Sequence, residues 1–181
     1  MTRQQINYTL LVLVLLLVIG PGCQKPPVPE PFSNPIESRL ILQVPFYSVN
    51  TPGGGAAALA SVMTHSGRPV SVEKAELALD GQTSGQSLAV FARHEGLKAD
   101  VFSGTPEQLI EAVRRHRPVI VRLDQVTPPL AKGDYAVVVG YTPDGPVLNS
   151  CTVNQQIILW KNFLAGWHAA SNFMLLIEPM E

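Results

Sequence analysis

Two cysteines and a few polar residues beside glycine-rich turns could do chemistry in this sequence of 181 residues. Cys151 is followed by His168, and a thiol becomes a strong nucleophile when a neighbouring base takes its proton. A free cysteine is more often a small apolar filler of a core. We therefore expect Cys151 to pack rather than to react. A reactive Cys151, with His168 as its base, is kept as an alternative.

Three consecutive glycines, Gly53, Gly54 and Gly55, precede a predicted helix. Free amides at a helix start favour an anion. However, a nucleotide-binding loop also needs a lysine followed by serine or threonine, which this segment lacks. The glycines are therefore interpreted as a tight turn. The two cysteines do not form a paired metal-binding motif, and we expect neither a metal nor a cofactor.

Four helices are predicted in the first part of the chain, and these must position the glycine turn. The first begins after the glycines, runs for about ten residues and stops near Ser66. The others follow Ser71, Ser84 and Thr105, because each of these side chains can cap a helix N-terminus. Thr105 also has the spacing of a capping box, with proline at the first helical position.

The second part of the chain is rich in predicted strands. Alternating or β-prone runs indicate strands at residues 41–47, 119–123, 135–141, 147–148, 156–159 and 173–177. One helix interrupts them, with an apolar stripe of Trp160, Phe163, Leu164 and Trp167 that we assign to the core. Helices first and strands afterwards favour an α+β fold with a mostly antiparallel sheet.

Three stretches carry a resemblance to a peptidase family. Residues 44–60 read VPFYSVNTPGGGAAALA, residues 133–141 read GDYAVVVGY, and residues 160–167 read WKNFLAGW. Their order and spacing resemble the bacteriocin-processing, double-glycine-leader peptidases, which are papain-like cysteine peptidases. The resemblance implies a two-lobed fold, in which an N-terminal helical half packs on a C-terminal sheet half.

The positions that react in that family hold other residues in this sequence. By the resemblance, Gly54 replaces the nucleophilic cysteine, Asp134 the general-base histidine, and Val49 the oxyanion-hole glutamine. Ser150, or Asn149 after a slip of one residue, replaces the orienting aspartate. Glycine cannot attack a carbonyl, and losing one oxyanion donor alone costs about 100- to 1,000-fold in rate. We therefore predict that the protein is not an enzyme. A weak cysteine peptidase, with a site rebuilt around Cys151 and His168 as its base, is the alternative.

The resemblance also implies a cleft that holds an extended peptide. Its candidate lining is Gly53, Gly54, Gly55, Asp134 and Tyr135. Because a carboxylate near a helix N-terminus is stabilised by about 0.3–1 kcal/mol, Asp134 is a candidate plug that accepts the amides of Gly54 or Gly55. A solvated aspartate at a strand start is the alternative.

The N-terminal residues predict export and attachment to a membrane. Arg3 precedes an apolar run over residues 10–19, which is short for a span of about 20 residues, and small residues then lead to Cys23. We expect a signal peptide over residues 1–22, lipidation of Cys23, a proline-rich tether over residues 23–39, and the peptidase-like domain over residues 40–181. An uncleaved anchor with an incidental cysteine is the alternative.

Charge and organisation together limit the function classes. The chain has 13 Lys and Arg against 14 Asp and Glu, and no basic cluster supports nucleic-acid binding. We predict a bacterial lipoprotein that faces outside the cytoplasm, and Gln24 after the cysteine points to the outer membrane. It would bind an extended peptide or a partner protein as an accessory factor in secretion or envelope assembly. A purely structural envelope scaffold is a further alternative.

Overall fold

The structure is a computed structural model that describes residues 36, 38–49, 54–124 and 134–180. The described residues belong to one compact unit of the chain. The predicted signal peptide, Cys23, nearly all of the tether and Gly53 lie outside the described residues. No described helix is long and apolar enough to span a bilayer.

The described part of the chain contains five helices and seven strands. The helices are α1 (Gly55–His65), α2 (Val72–Leu79), α3 (Gly85–His94), α4 (Pro106–Arg114) and α5 (Trp160–Ala169). The strands are β1 (Leu40–Ile41), β2 (Leu97–Ser103), β3 (Val119–Leu123), β4 (Asp134–Tyr141), β5 (Pro146–Asn149), β6 (Gln156–Ile157) and β7 (Phe173–Pro179).

Side-chain caps define the starts of three helices, as the sequence predicts. Ser71 and Ser84 each accept the backbone N–H three residues further on, at 3.1 Å. At α4, Thr105 Oγ1 accepts the N–H of Gln108 at 3.2 Å, while Gln108 Oε1 accepts the N–H of Thr105 at 2.9 Å. These bonds satisfy amides that have no partner within a helix, so the predicted starts of α2, α3 and α4 are confirmed.

The strands form one antiparallel sheet. Its order is β2-β7-β3-β4-β5-β6, and β1 pairs with the end of β4. In β4, Tyr135, Val137 and Val139 face one side, where they pack with α1, α2 and α3. Ala136 and Val138 face the other side, where they pack with α4 and α5. The predicted α+β arrangement, with an N-terminal helical part packed on an antiparallel sheet, is confirmed.

The tryptophans of α5 belong to the core, as predicted. Trp167 is fully buried, stacks on Phe163 with ring centroids 5.5 Å apart, and donates from Nε1 to the Phe173 carbonyl at 2.9 Å. Trp160 is also buried and donates from Nε1 to the Thr142 carbonyl at 3.1 Å. Both indole N–H groups therefore have the partners that buried tryptophans require.

Two strand predictions differ from the structure. The strand predicted over residues 41–47 is only Leu40–Ile41; Leu42 still donates to Val139 at 2.8 Å, but Pro45 has no N–H with which to extend a ladder. Strand β2 is not predicted, although its first residues alternate between buried and exposed. Lysine, alanine and aspartate are weak strand formers, and pairing with β7 along its full length holds β2 in place.

Candidate functional site

The candidate site lies at the start of α1, where the chain is packed tightly against the sheet. The residues 55–60 of α1 are one glycine, four alanines and one leucine, and all are buried. Small side chains allow a helix to approach a strand closely, and α1 packs across β4. Gly54 caps this helix with φ 55°, in the left-handed region that glycine adopts without strain.

The side-chain position at Gly54 is already occupied. An ideal Cβ built on Gly54 would overlap the Sγ of Cys151, and it would lie 3.7 Å from the Cys151 Cβ and 3.2 Å from the carbonyl oxygen of Tyr135. The thiol of Cys151 thus fills the space that a side chain at residue 54 would take. Gly54, which the sequence resemblance aligns with a nucleophile position, and Cys151, the other candidate, therefore meet at one point.

Backbone bonds hold Cys151 in this place. Val49 donates its N–H to the Cys151 carbonyl at 2.8 Å. Ser150 donates its N–H to the Val153 carbonyl at 3.0 Å, and its Oγ accepts the Val153 N–H at 3.2 Å. Val49 therefore lies beside the candidate site and contributes its backbone amide. Its side chain has no hydrogen that it could donate to an oxyanion.

The two candidates for the orienting position are both used within their own loop. Ser150 closes the turn to Val153, and Asn149 Oδ1 accepts the N–H of Gln155 at 3.0 Å. Both residues are buried and both line the same small cavity. The structure therefore brings residues 149 and 150 to the site, with their side chains engaged in shaping residues 149–155.

Burial and a nearby charge raise the pKa of the Cys151 thiol. Cys151 is half-buried, and this burial raises the pKa of its thiol above the usual value; the nearby Asp134 carboxylate raises that pKa further. A nucleophilic cysteine needs the opposite, a pKa lowered by a histidine, a basic residue or a helix N-terminus. Asp134, which is buried at the first position of β4, therefore opposes ionisation of Cys151.

The described residues place no imidazole at the site. Among the described residues, the pKa of Cys151 is changed by burial, by Asp134 and by a backbone hydrogen bond, and by no histidine. His168 lies in the last turn of α5, which packs on the sheet face opposite α1. His65 lies 3.1 Å from each of two backbone carbonyls, those of Gln43 and His116. No group of three His, Cys, Asp or Glu residues in the described ranges could hold a metal ion.

The described members of the predicted cleft are all buried. Gly54 and Asp134 are buried, and the ring of Tyr135 packs edge-on against Phe173 with centroids 5.7 Å apart. A Cβ on Gly55 would lie 3.4 Å from the Tyr135 ring and 3.4 Å from Leu88. Burial also raises the pKa of the Tyr135 phenol, although Arg122 opposes this. The proposed contact of Asp134 with the amides of Gly54 or Gly55 stays a prediction.

The cavity at the site is very small. Its volume is about 10 Å³, close to the least that holds one water molecule. Its walls come from α1, β4, β5 and the chain before α1, namely Phe46, Tyr47, Gly54, Ala57, Ala58, Ser61, Tyr135, Val137, Asn149, Ser150 and Cys151. Among the described residues, this cavity leaves no room for a peptide beneath the start of α1.

The fold is that of double-glycine-motif and related peptidase domains. A double glycine motif protease from an AMS/PCAT transporter, solved in complex with the leader peptide, has a TM-score of 0.64 and 18% identity, and the match covers 80% of this chain and 98% of that chain. The peptidase domain of Streptococcus ComA, a bi-functional ABC transporter, has a TM-score of 0.60 and 19% identity, and the match covers 78% of this chain and 98% of that chain.

A third solved structure has the same fold. It is a C39-like peptidase from Bacillus anthracis, with a TM-score of 0.69 and 15% identity, and the match covers 80% of this chain and 100% of that chain. No family model and no curated protein matches the sequence. At these identities the similarity establishes the fold of the chain.

Proposed function

We propose that this peptidase-like protein is non-catalytic and binds an extended peptide or a partner protein. The observation that carries the proposal is the meeting of Gly54 and Cys151: a residue without a side chain stands at the helix start, and the Cys151 thiol, whose pKa is raised by burial and Asp134, fills the space beside it. Acyl transfer by a cysteine needs a thiolate, a base and an oxyanion hole. At this site the pKa of the Cys151 thiol is raised. A carboxylate, Asp134, stands at the predicted position of the base, and Val49 stands at that of the oxyanion donor.

A peptide remains the favoured ligand because of the fold. One of the similar structures was solved with a leader peptide bound, and this chain shares its fold over 80% of the chain. Because the cavity beneath α1 admits at most about one water, the peptide would lie across the surface near the start of α1. Backbone hydrogen bonds would supply much of its affinity.

The binding proposal is tested with the purified full chain and two labelled peptides of equal length, each able to bind in an extended conformation. One peptide ends in two glycines, and its twin ends in two leucines. Fluorescence anisotropy should show saturable binding with a preference for the glycine-ended peptide. Equal affinity for both twins, or binding of neither, would contradict the proposed peptide function.

A structural envelope scaffold is the second candidate, and one observation favours it. Gly54, Asp134 and Tyr135, which were predicted to line a cleft, are buried. A scaffold needs no open cleft. Absence of binding by either peptide, combined with stable co-purification with other envelope proteins, would support this candidate.

The proposed lipid anchor rests on Cys23 and the apolar run before it. We propose that Cys23 carries the lipid and that the domain works at the bacterial cell envelope, outside the cytoplasm. Cells fed an alkyne fatty acid should label the full chain, and the Cys23→Ser variant should stay unlabelled. Cys151→Ser is the matched control and should label like the unmodified chain; equal labelling of Cys23→Ser would contradict the anchor.

A further inference from the structure

We infer that Cys151 is an internal plug that replaces the side chain lost at residue 54, so that the two positions are structurally coupled. The inference builds on the proposed function, because it explains how a site without a nucleophile stays closed. It concerns occupation of space and assigns no reactivity to the thiol. Its test measures packing, so its outcome is independent of whether the protein cleaves or binds peptides.

The first argument is steric. A Cβ on Gly54 and the Cys151 Sγ claim the same space, so a side chain at residue 54 requires the Cys151 thiol to rotate away or a chain segment to move. The backbone of Cys151 has little freedom to move, since Val49 holds its carbonyl and the Ser150–Val153 turn holds its neighbour. A side chain at residue 54 and the present rotamer of Cys151 therefore exclude each other.

The second argument is the volume that remains. With the thiol in place, the cavity between α1, β4 and β5 measures about 10 Å³. Protein interiors are packed nearly as densely as organic crystals, and truncated side chains leave voids that destabilise the fold. Glycine at 54 without a filler at 151 would leave such a void next to Tyr135 and Ala57. Cys151 removes this penalty.

A third observation explains why a thiol suits the position. The space lies between the Tyr135 carbonyl and the first residues of α1, and the carboxylate of Asp134 acts on it electrostatically. A neutral, small and polarisable group can occupy such a place without a charge of its own. A second anion there would be repelled by Asp134.

The test is a double-mutant cycle on the full chain with the substitutions Gly54→Ala and Cys151→Ala. Gly54→Ala should lower the melting temperature by about 4 °C or more, from overpacking at a buried site. Cys151→Ala should relieve much of that loss, so that the double variant melts above the Gly54→Ala protein. Such non-additivity is the measure of direct coupling between two positions.

Gly67→Ala is the matched control for backbone strain. Gly67 also has a positive φ, 80°, but a Cβ there would meet nothing within 4 Å. This variant therefore reports the cost of alanine in a left-handed conformation without a steric clash. Gly54→Ala should melt clearly below Gly67→Ala, and Cys151→Ala should not change the effect of Gly67→Ala.

A second measurement covers the case in which Gly54→Ala does not fold. The double variant should then fold while the single variant does not, which supports the coupling. Where Gly54→Ala does fold, its Cys151 should be displaced and should react several-fold faster with iodoacetamide than in Gly67→Ala, as read from the mass of the Cys151 peptide.

Three results would overturn the inference. Gly54→Ala could lower the melting temperature no more than Gly67→Ala does. The loss caused by Gly54→Ala could also be the same in the presence and in the absence of Cys151. Alternatively, Gly54→Ala and the double variant could both fail to fold, which would assign the clash to the Tyr135 carbonyl at 3.2 Å instead of the thiol.

Discussion

The starts of α1 and α4 are built in opposite ways. At α4, an exposed Thr105 forms a complete capping box with Gln108, Pro106 occupies the first turn and Glu107 faces solvent. At α1, Gly54 makes no side-chain cap, the first turn has no acidic residue, and residues 54–60 are buried. The start of α4 is stabilised by its own side chains, whereas the start of α1 depends on what packs against it.

This difference teaches that one residue type can have opposite effects at two helix starts. Serine and threonine are favoured caps because their oxygen accepts a free N–H. That rule applies at residue 105, which has room for a side chain. At residue 54 the Cys151 thiol already occupies the space, so a good capping residue becomes a steric problem.

The largest expected effect comes from Gly54→Ser. The serine Cβ would overlap the Cys151 thiol and would also sit at a positive φ, so we expect a loss of about 2–4 kcal/mol in the free energy of unfolding. Urea denaturation monitored by circular dichroism measures this loss. Gly67→Ser, at an open position with positive φ, should lose much less, and a stabilised Gly54→Ser protein would contradict the comparison.

A smaller effect is expected from Thr105→Ala. The substitution removes the side-chain half of the capping box at α4, and loss of such a cap costs about 1 kcal/mol. The same denaturation experiment applies, with Thr105→Ser as a control that keeps the hydroxyl and should remain close to the unmodified protein. A loss as large as that of Gly54→Ser would mean that the two helix starts do not differ as described.

The smallest expected effect is on the pH dependence of stability. Burial and Asp134 raise the pKa of the Cys151 thiol in the folded state, so the unfolded chain releases this proton first as the pH rises. The contribution of the protonated Cys151 thiol to the free energy of unfolding is fully present below the unfolded pKa of about 8.5. It is lost as the pH rises through the folded pKa. The unmodified protein should thus lose more stability between neutral and alkaline pH than Cys151→Ala; equal slopes would contradict this assignment.

The helices could be predicted from the sequence where local chemistry determines them. Ser71, Ser84 and Thr105 each mark a helix start by a side chain that acts within three residues. The stripe from Trp160 to Trp167 likewise identifies α5 and its buried face. The edge strand β2 could not be predicted from local sequence, because its stability comes from pairing with β7, which is distant in sequence.

The candidate site was predictable only in part. The sequence pattern predicts site positions at Val49, Gly54, Asp134 and Ser150. In the structure, Gly54 and Ser150 line one cavity, and Asp134 raises the pKa of the adjacent Cys151 thiol. The place of Cys151 could not be predicted, because it depends on the loop 149–155 and on the approach of α1 to β4. A glycine and a cysteine far apart in sequence carry no local signal of their contact.

Peptide cleavage by the full chain tests the central claim most directly. The unmodified protein and Cys151→Ala are each incubated with a precursor peptide that contains a double-glycine leader, and the products are followed by mass spectrometry beside an intact double-glycine peptidase. Our account predicts no cleavage by either form of this protein. Cleavage after the glycines by the unmodified protein, abolished by Cys151→Ala, would contradict it and establish Cys151 as a nucleophile.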